Sequence, residues 1–159
     1  MIKKYAAYNL WANNILVEVL KTLDTDKLNV EFVSSFNSIR KTLYHIYDAE
    51  KIWYQRITKS EHLEWPPSKH FTLTDKPEVI LEASQKMYNL VIDGEDVFLK
   101  DYTSYRDSKG IEYKTNNEEI LHHVFNHSAF HRGQIITLLR QAGISQLPST
   151  DFITFIRIN

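Results

Sequence analysis

Apolar residues recur along this chain at three- and four-residue intervals in four long stretches, which predicts four amphipathic helices. The first stretch runs from about Lys3 to Leu23 and carries Ala6, Leu10, Ile15, Leu16, Val19, Leu20 and Leu23, with Asn9, Asn13 and Asn14 interrupting the pattern. Asp24 and Thr25 follow as turn formers. The second runs from Ser38 to about Thr58, with Ile39, Leu43, Ile46, Trp53 and Ile57 on its stripe and Glu50 where an apolar residue is expected. Trp65-Pro66-Pro67 then forbids a helix, because proline lacks the amide donor and restricts the residue before it. The stretch from Ser60 to Thr74 is read as a long loop. A third helix begins with Pro77 in its first turn and runs through Val79, Ile80, Ala83, Met87, Leu90 and Val91 to about Lys100, with Gly94 a weak point inside.

Tyr102-Thr103-Ser104-Tyr105 and Ile111-Glu112-Tyr113-Lys114 flank the turn-forming Asp107-Ser108-Lys109-Gly110, which predicts a small hairpin. The fourth helix is delimited by a capping box at Thr115-Asn116-Asn117-Glu118 and by a left-handed stop at Gly143. Its core face carries Ile120, Val124, His127, His131, Ile135 and Leu138. The tail from Leu147 to Asn159 is apolar enough, through Phe152, Ile153, Phe155 and Ile156, to pack back on the helices. The expected fold is therefore all-α: one domain over residues 1–159, a four-helix bundle with antiparallel or crossover connections.

Composition narrows the function classes. With 19 basic and 20 acidic residues and a formal net charge of −1, the chain lacks the excess of Lys and Arg a nucleic-acid binder needs. The absence of cysteine removes disulfide scaffolds, thiolate zinc sites and cysteine nucleophiles. No stretch approaches the ~20 apolar residues of a membrane span, and the start of the chain lacks a signal-peptide core. A soluble cytoplasmic protein is expected, without a nucleic-acid or membrane partner. Four glycines are too few for a phosphate-binding loop, and neither a His-Glu-x-x-His zincin motif nor a Gly-x-Ser-x-Gly elbow is present.

The chemistry-bearing pattern is His123, His127 and His131, each four residues from the next. Residues at that spacing stack on one helix face, so two imidazoles can grip one metal ion. His127 and His131 lie on the apolar stripe, where an unpartnered imidazole costs on the order of 1–3 kcal/mol. From spacing alone a metal site and hydrogen-bonded core histidines both remain open. His45, beside the stripe of the second helix, can meet the pair across the bundle. His123 is read as pocket wall, His122 as pointing away, and His62 and His70 as exposed loop residues. Asp48 and Glu50 are candidate acceptors for imidazole N–H groups, or bases for a bound nucleophile. Arg132 suits an ion pair or an anionic group, and Trp53, Tyr54 and Trp65 are candidate pocket walls.

Several of these segments resemble the DinB family. The resemblance rests on Tyr8-Asn9-Leu10-Trp11-Ala12-Asn13, on Leu43-Tyr44-His45-Ile46-Tyr47-Asp48-Ala49-Glu50-Lys51-Ile52-Trp53, on His127-Ser128-Ala129-Phe130-His131-Arg132-Gly133-Gln134, and on Gly143-Ile144 followed by Pro148-Ser149-Thr150-Asp151. It implies a bundle of the DinB/YfiT type, commonly a homodimer, with a divalent metal, zinc or nickel, on three histidines that map onto His45, His127 and His131. It also implies a metal-dependent transferase acting with a low-molecular-weight thiol on an electrophilic small molecule, or alternatively a metal-binding bundle without turnover that serves as a stress-related sensor or interaction module. Neutral ligands leave an ion its full charge, able to acidify a thiol or a water at an open position. A thiolate there attacks an electrophile, or, in a hydrolase, a hydroxide cleaves an ester or amide.

Overall fold

The computed structural model describes residues 1–94 and 96–158. Glu95, inside the third predicted helix, and Asn159, at the end of the predicted tail, lie outside the described residues. Four long helices form the frame: α1 (Ile2–Leu20), α3 (Ile39–Ile57), α4 (Leu81–Asp93) and α6 (Asn117–Gln141). A short α2 (Thr25–Asn29) follows α1, where the sequence was read as a turn. α5 (Asp96–Lys100) and a hairpin of β1 (Tyr102–Arg106) and β2 (Glu112–Asn116) connect α4 to α6, and α7 (Phe152–Ile158) ends the described chain. The predicted third helix is thus broken at Gly94, whose extended backbone (ψ 136°) stops α4. A Cβ there would stand 2.6 Å from the Leu90 carbonyl oxygen.

Local chemistry explains several helix ends. Ser38 caps α3 by accepting the Lys41 amide through its hydroxyl. Asn116, rather than Thr115, caps α6, its side-chain oxygen accepting the Glu118 amide at 3.0 Å. Gly143 takes the left-handed conformation (φ 85°) expected after α6. The hairpin pairs Tyr102 with Asn116 through Arg106 with Glu112, and Asp107 Oδ1 closes its turn by accepting the Lys109 and Ile111 amides.

α3 packs on α6 and α4, and α1 packs on α4 and α6, so the four long helices close a ring. Most of their buried apolar residues, with Ile80 just before α4, fall into two clusters, while Tyr8 and Ala12 join Phe155 of α7 in a third. Leu16, Leu20, Leu43, Ile46, Ile80, Ala83, Ile135 and Leu138 gather in one of the two, and Ile2, Ala6, Ile57, Met87, Val91, Ile120 and Val124 in the other. α1 and α6 enter the second cluster first and end in the first, whereas α3 and α4 run the opposite way. The connection between the parallel α3 and α4 must therefore return along the bundle. This is why it is long, and it is pinned at several points. Arg40 donates to Asn29 Oδ1 at 2.9 Å and to the Asp75 carbonyl, Tyr44 donates to the Thr72 carbonyl at 2.6 Å, and Phe71 packs on Tyr44 and Tyr47. α7 lays Phe152 and Phe155 against Tyr5, Tyr8 and Trp11 of α1, as the apolar tail suggested.

Between the two clusters lies a buried polar layer. Glu50 Oε1 accepts from Asn9 Nδ2 (2.7 Å), Asn13 Nδ2 (3.0 Å) and Ser128 Oγ (2.9 Å), and its Oε2 accepts from Ser84 Oγ (2.6 Å). Arg132 Nη1 donates to the oxygens of the same two amides, at 2.7 and 2.8 Å. Asn9 and Asn13 thus relay one buried charge to another, each facing the cation with its carbonyl and the anion with its amino group. The layer takes one or two residues from each long helix, so it fixes their mutual roll.

Candidate metal centre

At the seam between α3 and α6 three imidazoles converge. His45 comes from α3, while His127 and His131 stack one turn apart on α6, as their spacing predicted. His45 Nε2 lies 3.0 Å from His127 Nε2, and His131 Nε2 lies 3.1 Å from that same atom. All three candidate ligand atoms fall within 4.8 Å of one another. Phe36 stacks on His45 with ring centroids 4.0 Å apart and meets His131 edge-on at 5.5 Å. Asn37, in the left-handed conformation (φ 61°), turns the chain immediately after Phe36, and Phe130 covers His131 from α6.

Protonation favours ligation. Burial pushes His45 down to about 4, with His131 adding to the effect. Burial pushes His127 down to about 3, helped by its three histidine neighbours. His131 is lowered by burial, against the opposing hydrogen bond from Gln134. All three rings are therefore neutral near pH 7, the form that binds a metal. His131 Nδ1 lies 2.8 Å from Gln134 Oε1, an atom that only accepts, so the proton sits on Nδ1 and the Nε2 lone pair faces the cluster.

These residues fit a divalent ion. Tetrahedral ligands at Zn–N distances of about 2.0–2.1 Å stand roughly 3.3 Å apart, close to the two shorter separations. Without a cation, His127 Nε2 faces two other ring nitrogens and a proton on it can serve one at a time. A cation satisfies the converging lone pairs together. His127 Nδ1, buried without a hydrogen-bond partner among the described residues, is the weak point of the arrangement.

The cluster opens onto a cavity of about 540 Å³, walled by His45, His127, His123, Trp53, Trp65, Arg56 and Tyr105, with Asp107 at the hairpin turn. Trp53 and Trp65 are pocket walls as expected, and His123 is too, whereas Tyr54 packs with the second core cluster. His122 packs edge-on against Tyr5, and His62 and His70 are exposed in the loop. The hydrogen bonds of both candidate carboxylates go elsewhere. Asp48 holds the Ser68 amide (2.6 Å) and hydroxyl (2.8 Å), bonds that oppose the upward shift burial imposes on its pKa. Glu50 belongs to the polar layer, with Arg132. A Cβ on Gly133 would meet no side chain and no other element within 4 Å among the described residues.

Sequence reading missed Phe36, Gln134 and Arg56. Gln134 carried a signal, since it stands three residues after His131 on the same helix face; Phe36 and Arg56 reach the site through tertiary packing alone. It also missed that Asn9 and Asn13, Glu50, and Arg132 fall at one level of three different helices.

The histidine pattern and the fold have matches among known proteins. The chain is 30% identical over 158 residues to Protein DinB of Bacillus subtilis (strain 168), covering 94% of this chain and 90% of that one. Its fold is similar to the crystal structure of a DinB-like protein from Bacillus subtilis (TM-score 0.67, 14% identity, 92% of this chain and 97% of that chain). It also resembles a DinB-like protein from Bacillus cereus ATCC 10987 (TM-score 0.62, 21% identity, 87% and 89% covered). With the DinB family model matching residues 1–158, sequence and fold agree: the chain belongs to the DinB family.

Proposed function

We propose that His45, His127 and His131 hold one divalent metal ion, zinc or nickel, and that the adjoining cavity admits small molecules to its open side. The observation that carries this reading is the convergence of three neutral imidazoles beside an aromatic-lined cavity, two of which, His45 and His127, form part of its wall. On such a site the reaction class that fits best is transfer involving a low-molecular-weight thiol and an electrophile, as the family resemblance suggests. A divalent ion on three neutral ligands acidifies a thiol or water presented to it. The chain's own residues supply the rest. Gln134 holds the His131 ring in the ligating tautomer, Phe36 and Phe130 exclude water from the imidazoles, and Trp53 and Trp65 supply flat apolar walls for a substrate. Asp48 and Glu50 shape the site from behind, one by tying the loop that carries Trp65 to α3, the other by setting the roll of the helices.

A second reading, metal binding without turnover in a sensor or interaction module, has one observation in its favour. Both carboxylates nearest the ligands in sequence are committed to other partners, so neither stands ready as a base. Metal content separates these readings from a structural histidine cluster. Untagged protein purified without nickel resin is expected to carry close to one equivalent of metal, lost in His45→Ala and in His131→Ala while both variants stay folded. Folded wild-type protein that neither carries nor takes up zinc or nickel would refute the site. Thiol-transfer assays with and without chelator then decide between turnover and binding.

A further inference from the structure

Among the cavity walls Arg56 is the cation with an unfilled role. Its guanidinium carbon lies 4.6 Å from the Trp53 ring centroid and 5.0 Å from that of Tyr105. One N–H group, on Nη2, donates to the Arg106 carbonyl at 2.9 Å, and Nε is buried with no hydrogen-bond partner among the described residues. Arg56 makes no ion pair with a carboxylate among the described residues. Arg40, by contrast, is satisfied by two side chains and a carbonyl. Asp107 lines the same cavity and favours the charged guanidinium electrostatically, yet its Oδ1 is occupied by two turn amides. A half-buried guanidinium held against two rings, with an Nη1 that makes no hydrogen bond among the described residues, suits a planar anion. Its two Nη groups can offer parallel N–H donors, and the ring contacts lower the entropy lost on binding. Leaving such a group unmatched is costly, and a ligand that matches it gains accordingly. Trp65, exposed on the loop between α3 and α4 and part of the cavity wall, offers a further apolar face for the body of that ligand.

We infer that Arg56 anchors a carboxylate on the substrate of this cavity, a small molecule with a flat apolar body stacked among Trp53, Trp65 and Tyr105 and its reactive end toward His45 and His127. The inference rests on the reading of the cavity as the substrate site, but not on the ion, because Arg56 does not belong to the histidine cluster. Two consequences follow: neutral analogues of the ligand bind poorly, and removal of the guanidinium fork weakens carboxylates selectively.

The test uses benzoate and phenylacetate as probes, with benzamide and phenylacetamide as their neutral counterparts. Each is titrated by calorimetry, with tryptophan fluorescence as a second readout, into metal-stripped and zinc-loaded protein. The expected result is saturable binding of both carboxylates to metal-stripped wild type, with the amides weaker by about ten-fold or more. Arg56→Gln should lose about ten-fold or more in carboxylate affinity and little for the amides, and Arg56→Lys, which keeps charge without the fork, should fall between. Equal affinity for acids and amides, unchanged binding in Arg56→Gln, or no binding to metal-stripped protein would overturn the assignment. Carboxylate binding seen exclusively after zinc loading would also overturn it, placing the anion on the ion. If Arg56→Gln does not fold, full carboxylate affinity in Arg56→Lys counts against the inference and a clear loss supports it. Arg56-dependent binding in a protein that takes up no zinc would leave this assignment standing and remove the metal centre alone.

Discussion

Glu50 and His127 both occupy stripe positions that the helical pattern reserves for apolar side chains, and they are polar for different reasons. Glu50 is buried to 0% exposure and accepts hydrogen bonds from four side chains, so it is the hub of an internal scaffold. Replacing it by alanine strands those donors and leaves Arg132 without a balancing charge. The expected cost is about 3 kcal/mol or more in urea unfolding, since breaking a buried charged network by removing one partner is far more damaging than removing an exposed pair. His127 instead has ring nitrogens for neighbours at its Nε2, while its Nδ1 has no hydrogen-bond partner among the described residues. His127→Ala is therefore expected to abolish metal uptake without a comparable loss of fold, checked by metal content beside circular dichroism. At this scale the sequence marked both positions as anomalous and could not say which was scaffold and which was site. That distinction lies in what each side chain faces across the bundle, and spacing along one helix carries no such information.

Two glycines make opposite predictions at the level of the element. Gly133 sits on the exposed face of α6 with open space around it, so Gly133→Ala should stabilise the chain by roughly 0.5–1 kcal/mol through helix propensity alone. Gly94 ends α4, and a Cβ there meets the Leu90 carbonyl oxygen, so Gly94→Ala should destabilise by about 1–3 kcal/mol. Thermal unfolding of the two variants beside wild type checks both signs. A stabilised Gly94→Ala would show that α4 can continue through the break. Element existence was largely legible from the chain: periodicity located all four long helices, and the Asp107–Gly110 turn announced the hairpin. Ends were less so. The α6 cap fell one residue later than the capping box suggested because Asn116 reaches the Glu118 amide itself. The α1–α3 connection hid the five-residue α2, too short for a periodic signal to emerge.

For the molecule as a whole, the depressed histidines tie stability to pH. A histidine whose folded pKa lies below its unfolded value of 6.5 favours the folded state fully above 6.5, and that contribution fades as pH falls toward the folded value. With His45 near 4 and His127 near 3, metal-free protein is expected to lose stability progressively between about pH 6.5 and 3. Asp48 works in the opposite sense low in that range, since burial raises its pKa above the usual 3.8. Metal-loaded protein should hold its stability further into acid, until protons displace the ion, and a chelator should restore the metal-free profile. Urea midpoints measured across this range, with and without chelator, check the claim. Superimposable profiles would mean that nothing binds at the cluster.

What the sequence determined by itself is what local physics controls: four amphipathic helices with their breakers, the stacked pair His127 and His131 on one face, and a hairpin announced by its turn residues. Period and propensity act over a few residues, so they are written in the order of the chain. Tertiary structure decided the rest. It brought His45 to within 3.0 Å of His127 across 82 positions of sequence, routed the long connection so that Trp65 reaches the cavity, and set Arg56 against rings from α3 and β1. It also turned scattered polar residues of four helices into one buried layer. Those outcomes depend on the relative roll and direction of whole helices, which many weak contacts settle together and no single motif encodes.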